Sequence, residues 1–292
     1  MDAAPDRPLF GLALGGGGAR GFAHVGVLKV LAREGIQADV IAGTSMGGLI
    51  GAAYASGSPV ELIEREVLGL AQRSRLLRLA DRIPSLQALL SGKRLETYLA
   101  EVMGADSTFA DLRRPLSLVT SDLVTGREVV LTRGPLVPAM RATMSLPGIF
   151  APVEMGRYRL VDGGILNNVP ADRTRDLGAD VVMAVDVLPH FPANQLGEAP
   201  RVEALELPLV PPGVRDVWEA GFVTISALTA RNLEQARPDL IVRPALPADV
   251  NVLFGFTRAD ELIAAGERAM RAALPRLREA LRPAGVPAPR AL

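Results

Sequence analysis

Short apolar runs alternate along most of the chain with longer segments in which apolar residues recur every three or four positions. The first pattern is typical of buried strands and the second of helices that bury one face. Predicted strands cover residues 9–14, 40–42, 116–122, 127–132, 158–161, 181–187 and 240–242. Predicted helices cover residues 19–34, 48–56, parts of 59–101, 136–144, 171–177, 214–237 and 259–281. This alternation predicts an α/β fold in which helices cover both faces of a sheet.

The pattern stops between residues 188 and 213, where prolines accumulate and no period is visible. Long irregular segments inside a domain often cover a functional site, so we interpret this one as a surface excursion or lid. No internal repeat and no linker divides the chain. We therefore predict one domain over residues 8–282, a flexible N-terminus at 1–7 and a disordered tail at 283–292.

Composition narrows the chemistry that the chain can perform. The 292 residues include 32 basic and 32 acidic side chains, no cysteine, and two histidines, His24 and His190. A net charge of zero argues against nucleic acid as a partner. Without cysteine, thiol nucleophiles and thiolate zinc sites are excluded, and two histidines cannot form a three-histidine metal centre. The catalytic side chains that remain are serine, threonine, aspartate, glutamate, lysine, arginine and tyrosine, with histidine scarce.

We find no secretion signal and no membrane-spanning segment in the sequence. The first residues lack the basic and apolar stretches of a signal peptide, so a cytoplasmic location is the expectation. Residues 40–60 carry no charge, but their five glycines and one proline indicate a buried strand, turn and helix rather than a membrane span. Residues 73–90 interleave arginine with leucine, which is compatible with contact to an anionic membrane surface. An ordinary helix pair with solvated arginines is the interpretation we favour there.

Glycines 15 to 18 stand between the first predicted strand and its helix. Backbone N–H groups without side chains can point at an anion there, assisted by the helix dipole. Gly16, Gly18 and Gly21 also satisfy the dinucleotide-binding spacing G-x-G-x-x-G. That alternative expects an acidic residue at the end of the second strand, whereas Asp39 precedes that strand. Tight packing of the strand on the helix is a further, purely structural reason for the glycines.

A second motif, Gly43-Thr44-Ser45-Met46-Gly47, has the G-x-S-x-G spacing of a nucleophile elbow. An elbow lifts the serine hydroxyl above the sheet through a turn so sharp that only small residues fit two positions before and after it. Its place between a strand and a helix supports this interpretation. A plain helix N-terminus, capped by the threonine or the serine, is the alternative.

The third motif is Asp162-Gly163-Gly164, which follows a predicted strand. A carboxylate held there could accept the serine proton, although an Asp-Gly turn is also a common way to leave a strand. A different order, Ser45, then Asp162 or Asp186, then His190, matches the triad order of α/β-hydrolases. Prolines surround His190, which argues against the triad.

Together the three motifs resemble the patatin-like phospholipase family, with the sequence G-G-G-x-R-G at residues 16–21, the elbow at Ser45 and D-G-G at residues 162–164. Residues 23–28, 41–47, 145–148 and 160–170 are also similar to bacterial members, which in turn resemble the catalytic domain of neuropathy target esterase. The resemblance covers about residues 8–190. It implies a three-layer α/β/α sandwich with a mostly parallel central sheet.

The resemblance also implies roles for single residues in the cleavage of acyl lipids, with no metal and no cofactor. Ser45 would attack the acyl carbonyl and Asp162 would take and return the proton. Backbone N–H groups of the glycine loop would hold the oxyanion, while Arg20 would support that loop or meet a phosphate. The implied oxyanion residues are Gly16, Gly17 and Gly18; the elbow glycines are Gly43 and Gly47; the glycines of the acceptor turn are Gly163 and Gly164.

Overall fold

A computed structural model describes residues 7–72, 90–189, 212–247, 249–250 and 255–283. Those residues form one eight-stranded sheet. Its strands are β1 (Phe10–Leu14), β2 (Val40–Thr44), β3 (Leu116–Asp122), β4 (Arg127–Leu131), β5 (Val153–Met155), β6 (Tyr158–Asp162), β7 (Val181–Val185) and β8 (Leu240–Val242). Each strand predicted from an apolar run is present, and the three-residue β5 is an addition that was too short to predict.

Eight α-helices occur in the described residues. They are α1 (Ala23–Arg33), α2 (Ser45–Ala55), α3 (Val60–Leu70), α4 (Lys93–Met103), α5 (Leu136–Thr143), α6 (Ala171–Asp176), α7 (Pro212–Ala236) and α8 (Ala259–Ala280). A 3-10 turn, Gly18–Phe22, precedes α1, and another, Gly163–Ile165, follows β6. No helix of the described ranges is both long enough and apolar enough to cross a bilayer.

The strand order is β5-β6-β3-β2-β1-β7-β8, with β4 beside β3. The five strands from β3 to β8 in this order run parallel, whereas β4, β6 and β5 pair antiparallel. Five of the eight strands run parallel, which confirms the predicted mostly parallel sheet, and the three antiparallel strands make the sheet mixed. The reason is local, because the turns at Gly126 and Gly156, both at positive φ, close hairpins instead of helical crossovers.

One edge of β3 is shared by two strands, and this arrangement positions the candidate site. Strand β2 runs parallel to the first half of β3, where Thr44 lies opposite Val119. Strand β6 runs antiparallel along the second half, where Asp162 lies opposite Thr120. Since β4 occupies the other edge, the carboxyl ends of β2 and β6 meet head to head. The residues that follow or end these two strands, Ser45 and Asp162, are thereby brought together.

Apolar side chains fill both faces of the sheet. Phe10, Leu12 and Leu14 of β1 belong to the larger core, while Ala13 packs into the smaller core on the opposite face. This alternation is that of a strand buried on both sides. Helices α1 and α8 cross very closely, since a methyl group at Gly26 would collide with the backbone of α8. The site thus lies on a rigid, fully packed support.

Several predicted segments fall outside the described residues. These are most of the N-terminal segment, the arginine-rich segment except for Leu90, most of the proposed lid including His190, and the tail after residue 283.

Candidate active site

The chain turns sharply from β2 into α2 at Ser45, whose φ of 53° is one of two positive values among the non-glycine residues described. That left-handed conformation costs a side-chain-bearing residue roughly 1–3 kcal/mol and points to function when the fold enforces it. The flanking glycines explain how the turn fits. A Cβ on Gly43 would lie 2.7 Å from the Gly47 carbonyl oxygen, and a Cβ on Gly47 would collide with the Leu14 carbonyl.

Three buried hydrogen bonds hold the serine in this conformation. The Ser45 N–H donates to Thr143 Oγ1 at 2.9 Å, and that hydroxyl donates to the Val119 carbonyl at 2.6 Å. The Thr44 hydroxyl donates to the Asn167 carbonyl at 2.9 Å, which ties the elbow to the loop after β6. Because the hydroxyl of Thr143 bridges two backbone groups, the strained turn is stabilised from outside its own segment.

Asp162 ends β6 and is 4% exposed. Its Oδ1 accepts a 2.8 Å hydrogen bond from the Gly164 N–H, and its own N–H donates to the Ser145 carbonyl at 3.0 Å. Burial raises the pKa of Asp162 to about 6, although hydrogen bonds from Ser45 and the Gly164 N–H lower it. Ser45 Oγ also lies 3.7 Å from Met144 Sδ. A carboxyl group with this pKa is mostly ionised at pH 7 and can accept a proton, and Asp162 lines the same cavity as Ser45.

The glycine loop lies against the nucleophile candidate. A Cβ on Gly16 would be 3.0 Å from Ser45 Cβ and 2.7 Å from Asn168 Oδ1, so no side chain fits there. The Gly16 N–H already donates to the Asn168 carbonyl at 3.1 Å, and this corrects the expectation that it faces an oxyanion. Within the described residues, the N–H groups of Gly17 and Gly18 donate to no protein group.

Arg20 is 5% exposed and bonds to backbone carbonyls. Its Nε donates to Val187 at 2.6 Å, and its Nη1 donates to Val250 at 2.9 Å and to Pro247 at 3.3 Å. Burial lowers the pKa of Arg20 to about 10, and the charge of Asp186 opposes that change. These contacts favour support of the glycine loop over contact with a phosphate.

The other titratable candidates are engaged elsewhere. His24 is fully buried beneath the glycine loop, and its Nε2 lies 2.7 Å from the Gly15 carbonyl. Burial lowers the pKa of His24 to about 4, so the ring is neutral and Nε2 donates to that carbonyl. Asp186 accepts from the Leu188 N–H and from Arg243 Nε, each at 3.1 Å. Asp39 accepts from Arg7 at 2.7 Å and 2.8 Å.

A cavity of about 200 Å³ opens onto the serine and the carboxylate. Its walls are mainly apolar and come from the loop after α5, the loop after β6, the end of β7 and helix α7. The lining residues are Gly17, Ser45, Leu146, Pro147, Asp162, Gly164, Ile165, Asn168, Leu188, Val217, Gly221, Phe222 and Ile225. Beside an apolar chamber, the arrangement combines a serine in a left-handed backbone conformation, a buried carboxyl group, and backbone N–H groups that donate to no described protein group. No group of three His, Asp or Glu side chains suited to a metal occurs within the described ranges.

A family model for the patatin-like phospholipases matches residues 12–174, more than half of the chain. The chain belongs to the patatin-like phospholipase family. The matched part extends from β1 into α6, so it includes the glycine loop, Ser45 and Asp162.

Curated relatives of this patatin-like chain carry the family name of neuropathy target esterase. An NTE family protein of Mycobacterium tuberculosis is 36% identical over 180 residues, which are 62% of this chain and 49% of the relative. A second one from that species is 31% identical over 284 residues, 90% and 46% of the two chains. Neuropathy target esterase of Drosophila melanogaster is 35% identical over 188 residues, 61% and 13% of the two chains. The chain spans half or less of the length of these relatives.

Among solved structures, VipD from Legionella pneumophila matches the patatin-like fold with a TM-score of 0.51 and 14% identity. The match covers 94% of this chain and 67% of VipD. At that identity the likeness concerns the fold, an α/β sheet flanked by helices.

Three residues in the patatin-like site were missed by sequence reasoning. Thr143 holds the Ser45 backbone, Met144 lies beside the Ser45 hydroxyl, and Asn168 bonds to the glycine loop. Asn168 had a visible signal, because an Asn-Asn pair closes the segment after the D-G-G motif. Thr143, which ends α5, and Met144, which follows it, had no such signal, since nothing in a helical pattern indicates which strand end the helix will contact.

Proposed function

We propose that this patatin-like chain is a serine hydrolase of lipid acyl esters that uses Ser45 and Asp162 as a catalytic dyad. The supporting observation is the head-to-head meeting of β2 and β6 along β3, which puts the strained serine and the buried carboxyl group at one wall of an apolar cavity. Serine activation by a neighbouring base is the general pattern of acyl transfer through a covalent intermediate.

In the first half-reaction, Ser45 Oγ attacks the acyl carbonyl carbon while Asp162 accepts the hydroxyl proton. The carbonyl oxygen becomes an oxyanion that the N–H groups of Gly17 and Gly18 stabilise. When the tetrahedral intermediate collapses, the bond to the alkoxide breaks and Asp162 returns the proton to that leaving oxygen. The products of this half are an alcohol and an acyl-serine.

In the second half-reaction, a water molecule takes the place of the alcohol. Asp162 accepts a proton from the water as its oxygen attacks the acyl-serine, and then returns the proton to Ser45 Oγ as the acyl bond breaks. A fatty acid leaves, and both side chains regain their starting protonation states.

The pKa of Asp162 bears on the bond that is cleaved. An ordinary carboxylate is a weak base, whereas one with a pKa near 6 accepts a proton more readily and is still ionised at pH 7. It remains a weaker base than imidazole. We therefore propose esters rather than amides as substrates, because alkoxides leave more easily than amide nitrogens.

The cavity suggests the size of the acyl group. A volume of about 200 Å³ holds roughly seven water-sized groups. We propose a medium-length acyl chain for this chamber, with the remainder of a lipid outside it. Peripheral contact with a membrane stays a prediction that depends mainly on residues outside the described ranges.

Two alternatives have less support. A dinucleotide site expects an acidic residue near the carboxyl end of β2. Asp39 instead precedes this five-residue strand, so it lies about 16 Å from that end, and its carboxylate accepts a hydrogen bond from Arg7. A triad through Asp186 would have to displace Arg243 from its carboxylate. His190 itself lies outside the described residues.

Turnover of p-nitrophenyl octanoate by the wild type and by Ser45→Ala, Asp162→Asn and His190→Ala tests the proposal. We expect activity in the wild type and in His190→Ala, and a loss of at least about 1,000-fold in the two dyad variants. Retained activity in Ser45→Ala would contradict the proposal. Loss in His190→Ala with retention in Asp162→Asn would favour the triad.

A further inference from the structure

We infer that Asn168 is the positioning residue that sets the direction of the Gly17 N–H, and through it the oxyanion site. The inference rests on the proposed hydrolase function and deepens it. Asn168 is 4% exposed, lies on the loop after β6, and lines the same cavity as Gly17, Ser45 and Asp162.

Asn168 holds Gly16 on both sides with two hydrogen bonds. Its side-chain Nδ2 donates to the Gly16 carbonyl at 3.1 Å, and its own carbonyl accepts from the Gly16 N–H at 3.1 Å. No other side chain of the described residues donates to that glycine carbonyl. A single residue, 152 positions away in sequence, thus fixes the two peptide planes that flank Gly16.

The second of these planes matters for catalysis. The Gly16 carbonyl and the Gly17 N–H belong to one planar trans peptide, so they point in opposite directions. A side chain that holds the carbonyl therefore holds the N–H as well. The Gly17 N–H donates to no described protein group, and Gly17 lines the cavity beside Ser45.

The glycine loop needs the two hydrogen bonds with Asn168 because its own residues do not fix its conformation. Residues 15 to 18 carry no side chains that could restrict rotation of their peptides, and glycine populates several backbone conformations at similar energy. Space around Gly16 is also too small for a restraining side chain, because Ser45 and Asn168 occupy both sides. The side-chain amide of Asn168 fixes the conformation of the loop from outside it.

The loop that carries Asn168 is itself held in place by two hydrogen bonds. The Asn167 carbonyl accepts from the Thr44 hydroxyl, and the Asn232 side chain donates to the Leu166 carbonyl at 2.8 Å. The loop that carries Asn168 is thereby tied to the nucleophile elbow on one side and to α7 on the other. Asn168 joins the glycine loop to the loop after β6. Hydrogen bonds therefore connect the glycine loop, the nucleophile elbow and the segment after Asp162.

The matched test compares Asn168→Ala with Ser56→Ala, because each variant removes one side-chain donor to a backbone carbonyl. Ser56, which follows α2 and does not line the cavity, donates to the Ala53 carbonyl at 2.7 Å. Only Asn168 contacts the glycine loop. For Asn168→Ala we expect kcat on p-nitrophenyl octanoate to fall about 10- to 100-fold, with KM changed less than about threefold. The affinity for a trifluoromethyl ketone, whose adduct carries an oxyanion, should fall by the same factor. Ser56→Ala should stay within about threefold of the wild type in both measurements.

Labelling to completion with a fluorophosphonate separates positioning from misfolding. Asn168→Ala should bind about one label per chain, as the wild type does, but more slowly. Asn168→Ser, which is too short to reach the Gly16 carbonyl, should behave alike. Equal kinetics in Asn168→Ala and Ser56→Ala would overturn the inference, and so would incomplete labelling of both Asn168 variants. A wild type that neither hydrolyses the ester nor takes the label would instead refute the proposed function.

Discussion

Replacing Asp162 by asparagine removes a buried charge and keeps the size of the side chain. Asparagine still offers an oxygen to the Gly164 N–H, which donates to Asp162 at 2.8 Å. The main change is therefore the loss of ionisation inside the site. We expect Asp162→Asn to be inactive and, at alkaline pH, more stable than the wild type.

The magnitude follows from the pKa of Asp162, which burial raises from 3.8 to about 6. Because the folded-state pKa lies above the unfolded one, the stability linked to this group is complete below about pH 4 and is lost as pH rises through 6. Integrated over pH, ionisation costs the wild type about 0.5 kcal/mol at pH 4 and about 3 kcal/mol at pH 8. Asparagine avoids this cost.

Urea unfolding at pH 4 and pH 8 measures the difference directly, and thermal melts check it. At pH 8 the variant should gain about 3 kcal/mol, equivalent to an increase in Tm of roughly 6–12 °C for a chain of this size. At pH 4 the gain should nearly vanish. A difference between the two proteins that does not depend on pH would refute the reasoning.

Asp39→Asn is a control variant for which we expect a stability change opposite in sign to that of Asp162→Asn. Burial raises the pKa of Asp39, but hydrogen bonds from Arg7 and from the Phe10 N–H, with the charges of Arg7 and Arg114, bring it below its usual value. Its stabilisation is present above the unfolded pKa and is lost as pH falls. Asp39→Asn should therefore destabilise the protein at pH 8, with an effect that shrinks towards pH 4.

Three further predictions concern the base, the elbow and its support. If Asp162 is the general base, kcat/KM should fall tenfold per pH unit below about pH 6 and level off above it; a pH-rate profile without this limb would contradict the assignment. Gly47→Ala should lose at least about 100-fold in activity, because its Cβ would collide with the Leu14 carbonyl, whereas Gly126→Ala, in open space at a φ of 68°, should cost only about 1 kcal/mol of stability and no activity. Thr143→Val should cost about 1–3 kcal/mol in urea unfolding by orphaning the Ser45 N–H, and Thr143→Ser should restore most of it; equal losses would show that the hydroxyl is not the cause.

The fold and the two candidate residues Ser45 and Asp162 could be predicted from the sequence because each depends on a local pattern. Apolar runs mark the strands, and the elbow glycines are required by collisions that any such turn creates. The hairpin at Gly156 was harder to predict, because one of its two strands is very short. Strand β5 has three residues and leaves almost no periodic signal.

Long-range contacts set the limit within the site. Nothing near Gly16 indicates that its N–H is engaged by a carbonyl 152 residues later, so the three glycines looked equivalent as oxyanion donors. The pKa of Asp162 likewise depends on burial that its own sequence neighbours do not reveal. Such properties arise only when β2 and β6 meet along β3.

The central claim, that Ser45 forms a covalent acyl-enzyme, is tested most directly by peptide mass spectrometry after reaction with a fluorophosphonate. The account predicts one phosphonyl group per chain, on the peptide that contains Ser45, and none in Ser45→Ala. Labelling of a different residue, or equal labelling of Ser45→Ala, would contradict it.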